Sequence, residues 1–268
     1  MKKNKTSNSG KISRNEFLSI AGASFSFMVG STMLGRFIHQ ASAKDNGDSA
    51  KESHADEKYD PRSHAWVYLI DTTKCIGCGM CVRACKIENK VPDHFFRTWV
   101  ERYLIMEGME AIVESPDGGL NGFKTEALGK VDKAFFVPKI CNHCQHSPCS
   151  QVCPVGASYY SPDKVQLIDQ ERCIGCGYCV QACPYGSRFL DPVKHVASKC
   201  TWCYHRITKG YQPACVQSCP TGTRQFGDMT HPDDPVRNII ANNRVQVLRK
   251  ELLTMPQVKY LGLDMEVR

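Results

Sequence analysis

The stretch Cys173 to Pro184, CIGCGYCVQACP, constrains this chain more than any other. Three cysteines stand at i, i+3 and i+6, a fourth follows four residues later, and a proline comes next. The spacing C-x2-C-x2-C-x3-C-P suits a cubane iron–sulfur cluster. Short turns bring the first three sulfurs to one face, and Gly175 and Gly177 accept the tight backbone. The fourth sulfur leaves on a different vector and, in two-cluster units, binds the other cluster. One such run therefore requires a partner.

Three partners are present. Cys75 to Cys85 reads CIGCGMCVRAC, nearly the same string. Cys141 to Pro154 keeps the plan as C-x2-C-x4-C-x3-C-P, and Cys200 to Pro220 keeps it with a long middle loop. All 16 cysteines fall into these four runs, which makes four 4Fe–4S clusters the expected cofactors. Disulfides would force strained and mutually exclusive pairings within each triplet. Zinc sites use C-x2-C pairs, but they explain neither the third cysteine nor Pro154, Pro184 and Pro220 directly after the fourth.

Each oxidised cubane with four thiolates carries a formal charge of about −2. The net charge of +7 must be read against this. Lys2, Lys3, Lys5, Lys11, Arg14 and Arg36 against Glu16 place +5 in residues 1–43 and leave +2 for the rest. The loaded remainder is acidic, and no basic stripe with interleaved aromatics is present, so nucleic-acid binding is not expected. There is no G-x-G-x-x-G, no P-loop and no evident nucleophile–base set. The chain reads as a non-catalytic carrier of electrons without a small-molecule substrate.

Residues 1–43 read as an export signal. Basic residues precede a moderately apolar stretch, Phe17 to Gly35, and Ala41-Ser42-Ala43 offers a cleavage site. Ser13-Arg14-Asn15-Glu16-Phe17-Leu18 resembles the twin-arginine motif with Asn15 in place of the second arginine. That route carries folded cargo, and a protein organised by clusters cannot be threaded unfolded without losing them. The expected location is the periplasm or the outer face of the cytoplasmic membrane, reached peripherally through a partner. An uncleaved anchor and a cytoplasmic location are the rival readings. Residues 44–62 read as a flexible linker and 63–268 as the cluster-bearing domain. Within it Ala65 to Ile70, Arg97 to Met106, Ala134 to Val137, Ser158 to Tyr160 and Val165 to Ile168 read as strands, and Arg188 to Leu190 leads to the fourth run. Glu107 to Lys133 reads as a surface excursion without a period. Gly156, Gly186 and Gly222 each lie two residues after a proline, where the chain must turn away from a cluster. Lys86 and Ile87 break that pattern, so the first run should exit differently.

Spacing alone permits two pairings: first run with second and third with fourth, or second with third nested inside first with fourth. Here resemblance adds something. FVPKICNHCQHSPCSQVCPVGA, CIGCGYCVQACPYGSRFLDP and KCTWCYHRITKGYQPACVQSCPTGTRQFGD resemble the four-cluster iron–sulfur subunits of molybdopterin oxidoreductases. These include the dimethyl sulfoxide, polysulfide, thiosulfate, tetrathionate and arsenate reductases, and the iron–sulfur protein of the cytochrome nitrite reductase pathway. The likeness runs from about Trp66 to Gly227, with a looser echo at Leu252 to Leu263. It implies an α+β fold of two pseudo-symmetric 2×4Fe–4S ferredoxin-like halves with short strands, short helices and long loops. The outer half is 63–100 plus 190–268, the inner half 134–189, and 101–133 an insertion.

The resemblance also implies the nested pairing. Cys75, Cys78, Cys81 and Cys219 would hold one cluster, and Cys200, Cys203, Cys215 and Cys85 a second. Cys141, Cys144, Cys149 and Cys183 would hold a third, and Cys173, Cys176, Cys179 and Cys153 the fourth. The implied partners are a molybdopterin catalytic subunit and an integral membrane quinone-reactive subunit or multihaem cytochrome, between which electrons pass in anaerobic respiration. The alternative is a stand-alone iron–sulfur redox enzyme or electron carrier without a molybdopterin partner; an enzyme acting on substrate through a cluster would need an iron without a cysteine.

His143, His146 and His205 lie within the runs, where loop hydrogen bonding is expected of them rather than ligation. Lys74, Lys139, Arg172 and Lys199 each precede a run and could raise a cluster potential or be merely solvated. Trp202 and Tyr178 are expected to pack and exclude water.

Overall fold

The computed structural model describes residues 59–108, 110–124 and 131–267. The export signal expected at 1–43 and residues 44–58 of the expected linker lie outside the described residues.

The central strand is β1 (Trp66–Asp71), five of whose six residues are buried. It is flanked antiparallel by β9 (Arg224–Asp228) and parallel by β10 (Val258–Leu261). A strand covered on both faces reads as an unbroken apolar run. Tyr68 and Ile70 face the main core with Trp202, Phe226 and Tyr260. Val67 and Leu69 face the helix α6 (Pro235–Asn242) through Val236. Asp234 caps that helix by accepting from the Val236 and Arg237 amides, and Pro235 occupies its first turn.

A second sheet has the order β3-β2-β4: β2 (Thr98–Ile105) lies between β3 (Ile112–Glu114) and β4 (Lys133–Ile140). Two hairpins complete the strands. In β5 (Ser158–Tyr160) with β6 (Gln166–Ile168), Ser161 and Val165 close the turn. The other hairpin is β7 (Arg188–Leu190) with β8 (Ala197–Lys199). The helices of the runs are short: α1 (Met80–Asn89), then single turns α2 (Pro148–Gln151), α3 (Tyr178–Gln181), α4 (Tyr204–Ile207) and α5 (Ala214–Gln217). The third cysteine of each run sits on one of them.

Two stretches are more ordered than the sequence suggested. The chain makes specific contacts from Tyr59 onward. The Tyr59 hydroxyl donates to Asp163, and the His64 ring lies stacked between Tyr59 (5.0 Å) and Trp66 (4.5 Å). The excursion at 107–133 contributes β3 and a tight turn at Pro116–Gly119 that seats on the first run. A three-residue strand carries no period to detect.

That seat depends on Gly79, where φ is +71° and an added Cβ would run into the Gly119 and Leu120 carbonyls. Gly79→Ala is expected to cost about 2–5 kcal/mol from left-handed backbone strain plus displacement of the turn. Gly156→Ala has a similar φ but open space around it, and should cost only about 1–2 kcal/mol. Denaturant-driven loss of the visible cluster absorbance compares the two. Equal costs would mean that the excursion does not bear on Gly79.

Candidate metal centres

All sixteen cysteines are free thiols. Three cavities draw their cysteines from separate runs. The first is lined by Cys75, Cys78 and Cys81 of the first run together with Cys219 of the fourth. Cys85 of the first run joins Cys200, Cys203 and Cys215 around the second. Cys141, Cys144 and Cys149 join Cys183 around the third. Helix placement explains these meetings: α1 packs on α5, and α2 on α3. A cysteine one helical turn beyond the third therefore projects toward the neighbouring run. Cys173 and Cys179 pack with Cys149; with Cys153 and Cys176 they are the four cysteines that line none of the three cavities.

The sets follow one another in space. Cys81 feels the charge of Cys215, Cys200 that of Cys141, and Cys179 that of Cys149. The two terminal sets each expose one thiol, Cys78 and Cys176, whereas the cysteines of the second set are all buried.

The exit from each proline-bearing run makes a cradle of amides. After Cys153, Cys183 and Cys219, the amides two and four residues on point at the sulfur: Val155 and Ala157, Tyr185 and Ser187, Thr221 and Thr223. The glycine between them holds φ at 62–64°, which curls the chain so that successive N–H groups face inward. Burial raises the Cys153 and Cys219 thiols, but these donors outweigh it and leave both below the ordinary value. The first run differs as expected. With no proline or glycine, α1 continues to Asn89 and consumes its amides internally. The Asn89 side chain supplies the donor instead, 3.5 Å from the Cys85 sulfur and 3.7 Å from that of Cys203.

Elsewhere burial dominates. It pushes Cys75 up to about 11 and Cys144 to about 12, and drives Cys200 well above its usual value. Such thiols would stay protonated at pH 7 unless a metal replaced the protons. Four converging sulfurs per cavity, with amide donors aimed at several of them, fit cubane clusters. When bound, each cluster would supply reversible one-electron redox chemistry, while the chain orders its ligands, limits water and donates hydrogen bonds.

His143 and His205 act as expected. His143 is fully buried, stacks on Trp202 at 4.0 Å and accepts the Gln166 amide at Nδ1. Desolvation, with Lys199 and Arg188 nearby, holds it well below its usual pKa and therefore neutral. His205 pairs with Glu88 at 2.7 Å. Trp202 is buried as expected, but Tyr178 is 58% exposed. It precedes Cys179 on α3, and successive residues point about 100° apart around a helix. Three of the four basic residues before the runs have carboxylate partners: Lys74 with Asp71, Lys139 with Glu101 and Arg172 with Asp169. Only Lys199 is buried beside cysteines, donating to the Gln166 and Cys200 carbonyls.

Sequence reasoning missed Arg97, Arg188 and Arg224, which line the cysteine cavities. A signal existed, because Arg188 and Arg224 occupy the same place in CPYGSR and CPTGTR.

One further group could in principle hold a metal: His64, Asp228 and His231. The His64 Nδ1 to Asp228 Oδ2 distance is 2.6 Å. Ligand atoms about 2.0–2.2 Å from one tetrahedral zinc would lie roughly 3.3 Å apart, so this contact is a hydrogen bond.

Because His143 serves as an acceptor and not a ligand, His143→Asn should leave iron at about 16 per chain and all four electron paramagnetic resonance (EPR) signals in place. Loss of one cluster's iron would restore a ligating role.

Two family models match, both described as a 4Fe-4S dicluster domain, over residues 74–157 and 132–229. Their limits follow run order along the chain and cut across the cysteine sets that share cavities. The chain is 44% identical over 198 residues to the B subunit of tetrathionate reductase from Archaeoglobus fulgidus, covering 74% of this chain and 82% of that protein. It is 39% identical over 204 residues to the B subunit of tetrathionate reductase from Salmonella typhimurium, with 75% and 74% covered. The corresponding B polypeptide of polysulfide reductase from Wolinella succinogenes is 35% identical over 193 residues, with 71% and 90% covered. With sixteen cysteines in four sets on a ferredoxin-like α+β frame, the protein belongs to the family of iron–sulfur B subunits of the tetrathionate, polysulfide, thiosulfate and dimethyl sulfoxide reductases, electron-transfer subunits with four 4Fe–4S clusters.

Proposed function

We propose that the four cysteine sets are the four ligand sets, and that electrons cross the chain through them in spatial order. The clusters of Cys75, Cys78, Cys81 and Cys219, then Cys85, Cys200, Cys203 and Cys215, form the outer half of the path. Those of Cys141, Cys144, Cys149 and Cys183, then Cys153, Cys173, Cys176 and Cys179, form the inner half. The observation that carries this reading is the meeting of Cys219 with Cys75, Cys78 and Cys81 in one cavity.

On this reading the chain performs no substrate chemistry itself. All sixteen thiols are used as ligands, which leaves no iron open to substrate. The exposed Cys78 and Cys176 mark where electrons enter and leave, from partners that cover them. The partners proposed are a molybdopterin catalytic subunit at one end and a membrane quinone-reactive subunit or multihaem cytochrome at the other. Likeness to B subunits of multisubunit reductases supports this assignment. Residues 1–43 act as a twin-arginine-type export signal, placing the mature chain on the outer side of the cytoplasmic membrane. The support is their charge pattern and the Ala41-Ser42-Ala43 site.

Cys219→Ser tests the pairing. It should perturb the cluster that Cys75→Ser perturbs, with one matching altered EPR signal, although the two positions lie far apart in sequence. A phenotype shared with Cys173→Ser instead would sink the nested assignment. Export and partnership are read from the native complex. Its iron–sulfur chain should begin at Lys44 and co-purify with a molybdenum-containing subunit. An intact Met1 on a cytoplasmic protein would refute export.

A further inference from the structure

Each of the three cysteine cavities has an arginine in its wall. Arg224 lines the cavity of Cys75, Cys78, Cys81 and Cys219. Arg97 lines that of Cys85, Cys200, Cys203 and Cys215, and Arg188 that of Cys141, Cys144, Cys149 and Cys183. Arg224 and Arg188 are only 2% and 4% exposed. Among the described residues none of the three forms an ion pair with a carboxylate. Their other contacts are neutral. Arg224 donates to the hydroxyls of Tyr68 and Thr98, and Arg188 to Ser158 and Gln166. Arg97 donates to Asn89 and Ser198. In all three the Nε is buried without a hydrogen bond, as is Nη1 of Arg188.

A buried, unpaired cation is costly unless something nearby is negative. Among the described residues, the negative partners that favour the charge of Arg224 and Arg188 are mainly cysteine sulfurs, whereas Arg97 also feels the Asp191 carboxylate. Desolvation opposes the charge of Arg224, and Cys81, Tyr68 and Cys215 outweigh it. Desolvation likewise opposes Arg188, and Cys149, Cys141 and Cys179 outweigh it. Cys81 and Cys215 belong to the first and second sets, whereas Cys149 and Cys179 belong to the third and fourth. Each arginine thus stands between two adjacent sets. The equivalence is built into the repeat, since each lies five residues after the crossing cysteine of its half, Cys219 or Cys183.

We propose that Arg224 and Arg188 are the fixed counter-charges of the two halves, each raising the reduction potentials of the two clusters it stands between. Arg97 adds a third charge for the cluster of Cys85, Cys200, Cys203 and Cys215. This rests on the ligand sets proposed above. The physics is a difference between two states. Reduction adds one electron and no proton to a cluster, making it more negative by one charge. A guanidinium keeps its proton in both states, so its attraction grows on reduction and favours the reduced form. The effect is large at Arg224 and Arg188 because both are buried and neither is paired with a carboxylate. Lys74, Lys139 and Arg172, each facing an acid, would contribute far less.

The test is a dithionite redox titration of the holoprotein followed by EPR, with iron counted on each preparation. Arg224→Gln should lower two of the four midpoint potentials by at least tenfold in the reduction equilibrium, about 59 mV for a one-electron couple. The other two should stay in place. Arg188→Gln should lower the complementary pair, and Arg224→Lys and Arg188→Lys should recover most of each shift. A fully loaded Arg224→Gln protein with four unmoved midpoints overturns the proposal. So does a Lys variant shifted as far as its Gln counterpart, which would make the role one of shape. If the buried variants fail to load, Arg97→Gln decides, because Arg97 is only partly buried. It should lower one midpoint, and no shift defeats the proposal. Iron well below about 16 per chain in the wild type would defeat the four-cluster reading, and this proposal with it.

Discussion

Thiols from separate runs meet in shared cavities, and this convergence governs the rest of the fold. Cys219 reaches the first run because β9 lies against β1, and Cys85 reaches the fourth because α1 packs on α5. Little else in the chain is long enough to form an independent core. Most helices of the runs are single turns, and such helices do not persist alone. The apolar core is correspondingly interleaved with cysteines: Cys81, Cys141, Cys200 and Cys215 pack in one group with Tyr68, Ile70, Trp202 and Tyr260. Ligation and burial therefore reinforce one another, and removing iron would leave that core lined with unsatisfied thiols.

The same convergence creates an electrostatic difficulty. Four clusters place negative charge in a small volume, and the chain answers it locally. Backbone amides are spent first, at the exits after Cys153, Cys183 and Cys219. They cost no side-chain entropy and carry no net charge, so they steady a thiolate without adding a counter-ion. Buried arginines come next, where two sets lie close together. Carboxylates are kept for surface cations, as in the pairs of Lys74 and Arg172. An acid beside Arg188 or Arg224 would have cancelled the charge where it is needed.

Much of this was legible in the sequence because its causes are local. Three cysteines at a fixed step, a proline and a glycine define one turn, and the structure repeats that turn at Gly156, Gly186 and Gly222 with nearly equal φ. The break at Lys86 and Ile87 announced the longer helix α1. Long-range choices were less visible. Run spacing left two pairings open, because a connection of either length closes at similar entropic cost. The seating of the excursion on Gly79 depends on a turn at Pro116–Gly119 whose partner is remote in sequence. Basic residues just before each run drew attention by proximity, yet three of them pair with acids. The arginines five residues after Cys183 and Cys219 turn inward, because strand alternation after the glycine turn sends their side chains between the sets.

The run that departs from the repeat also produces the most unequal site. Cys85 lies on a helix whose amides are already used, so no backbone cradle forms around its sulfur and Asn89 substitutes with long contacts. Its set is also the one whose four cysteines are all buried. Burial pushes the Cys85, Cys200 and Cys215 thiols upward, whereas amide donors hold Cys153 and Cys219 down. Adding an electron to a cluster in such a site places more charge in the most buried surroundings of the four. It is also the set with two arginines within electrostatic reach, Arg97 and Arg224. The positive charge is thus concentrated where burial of the sulfurs is greatest.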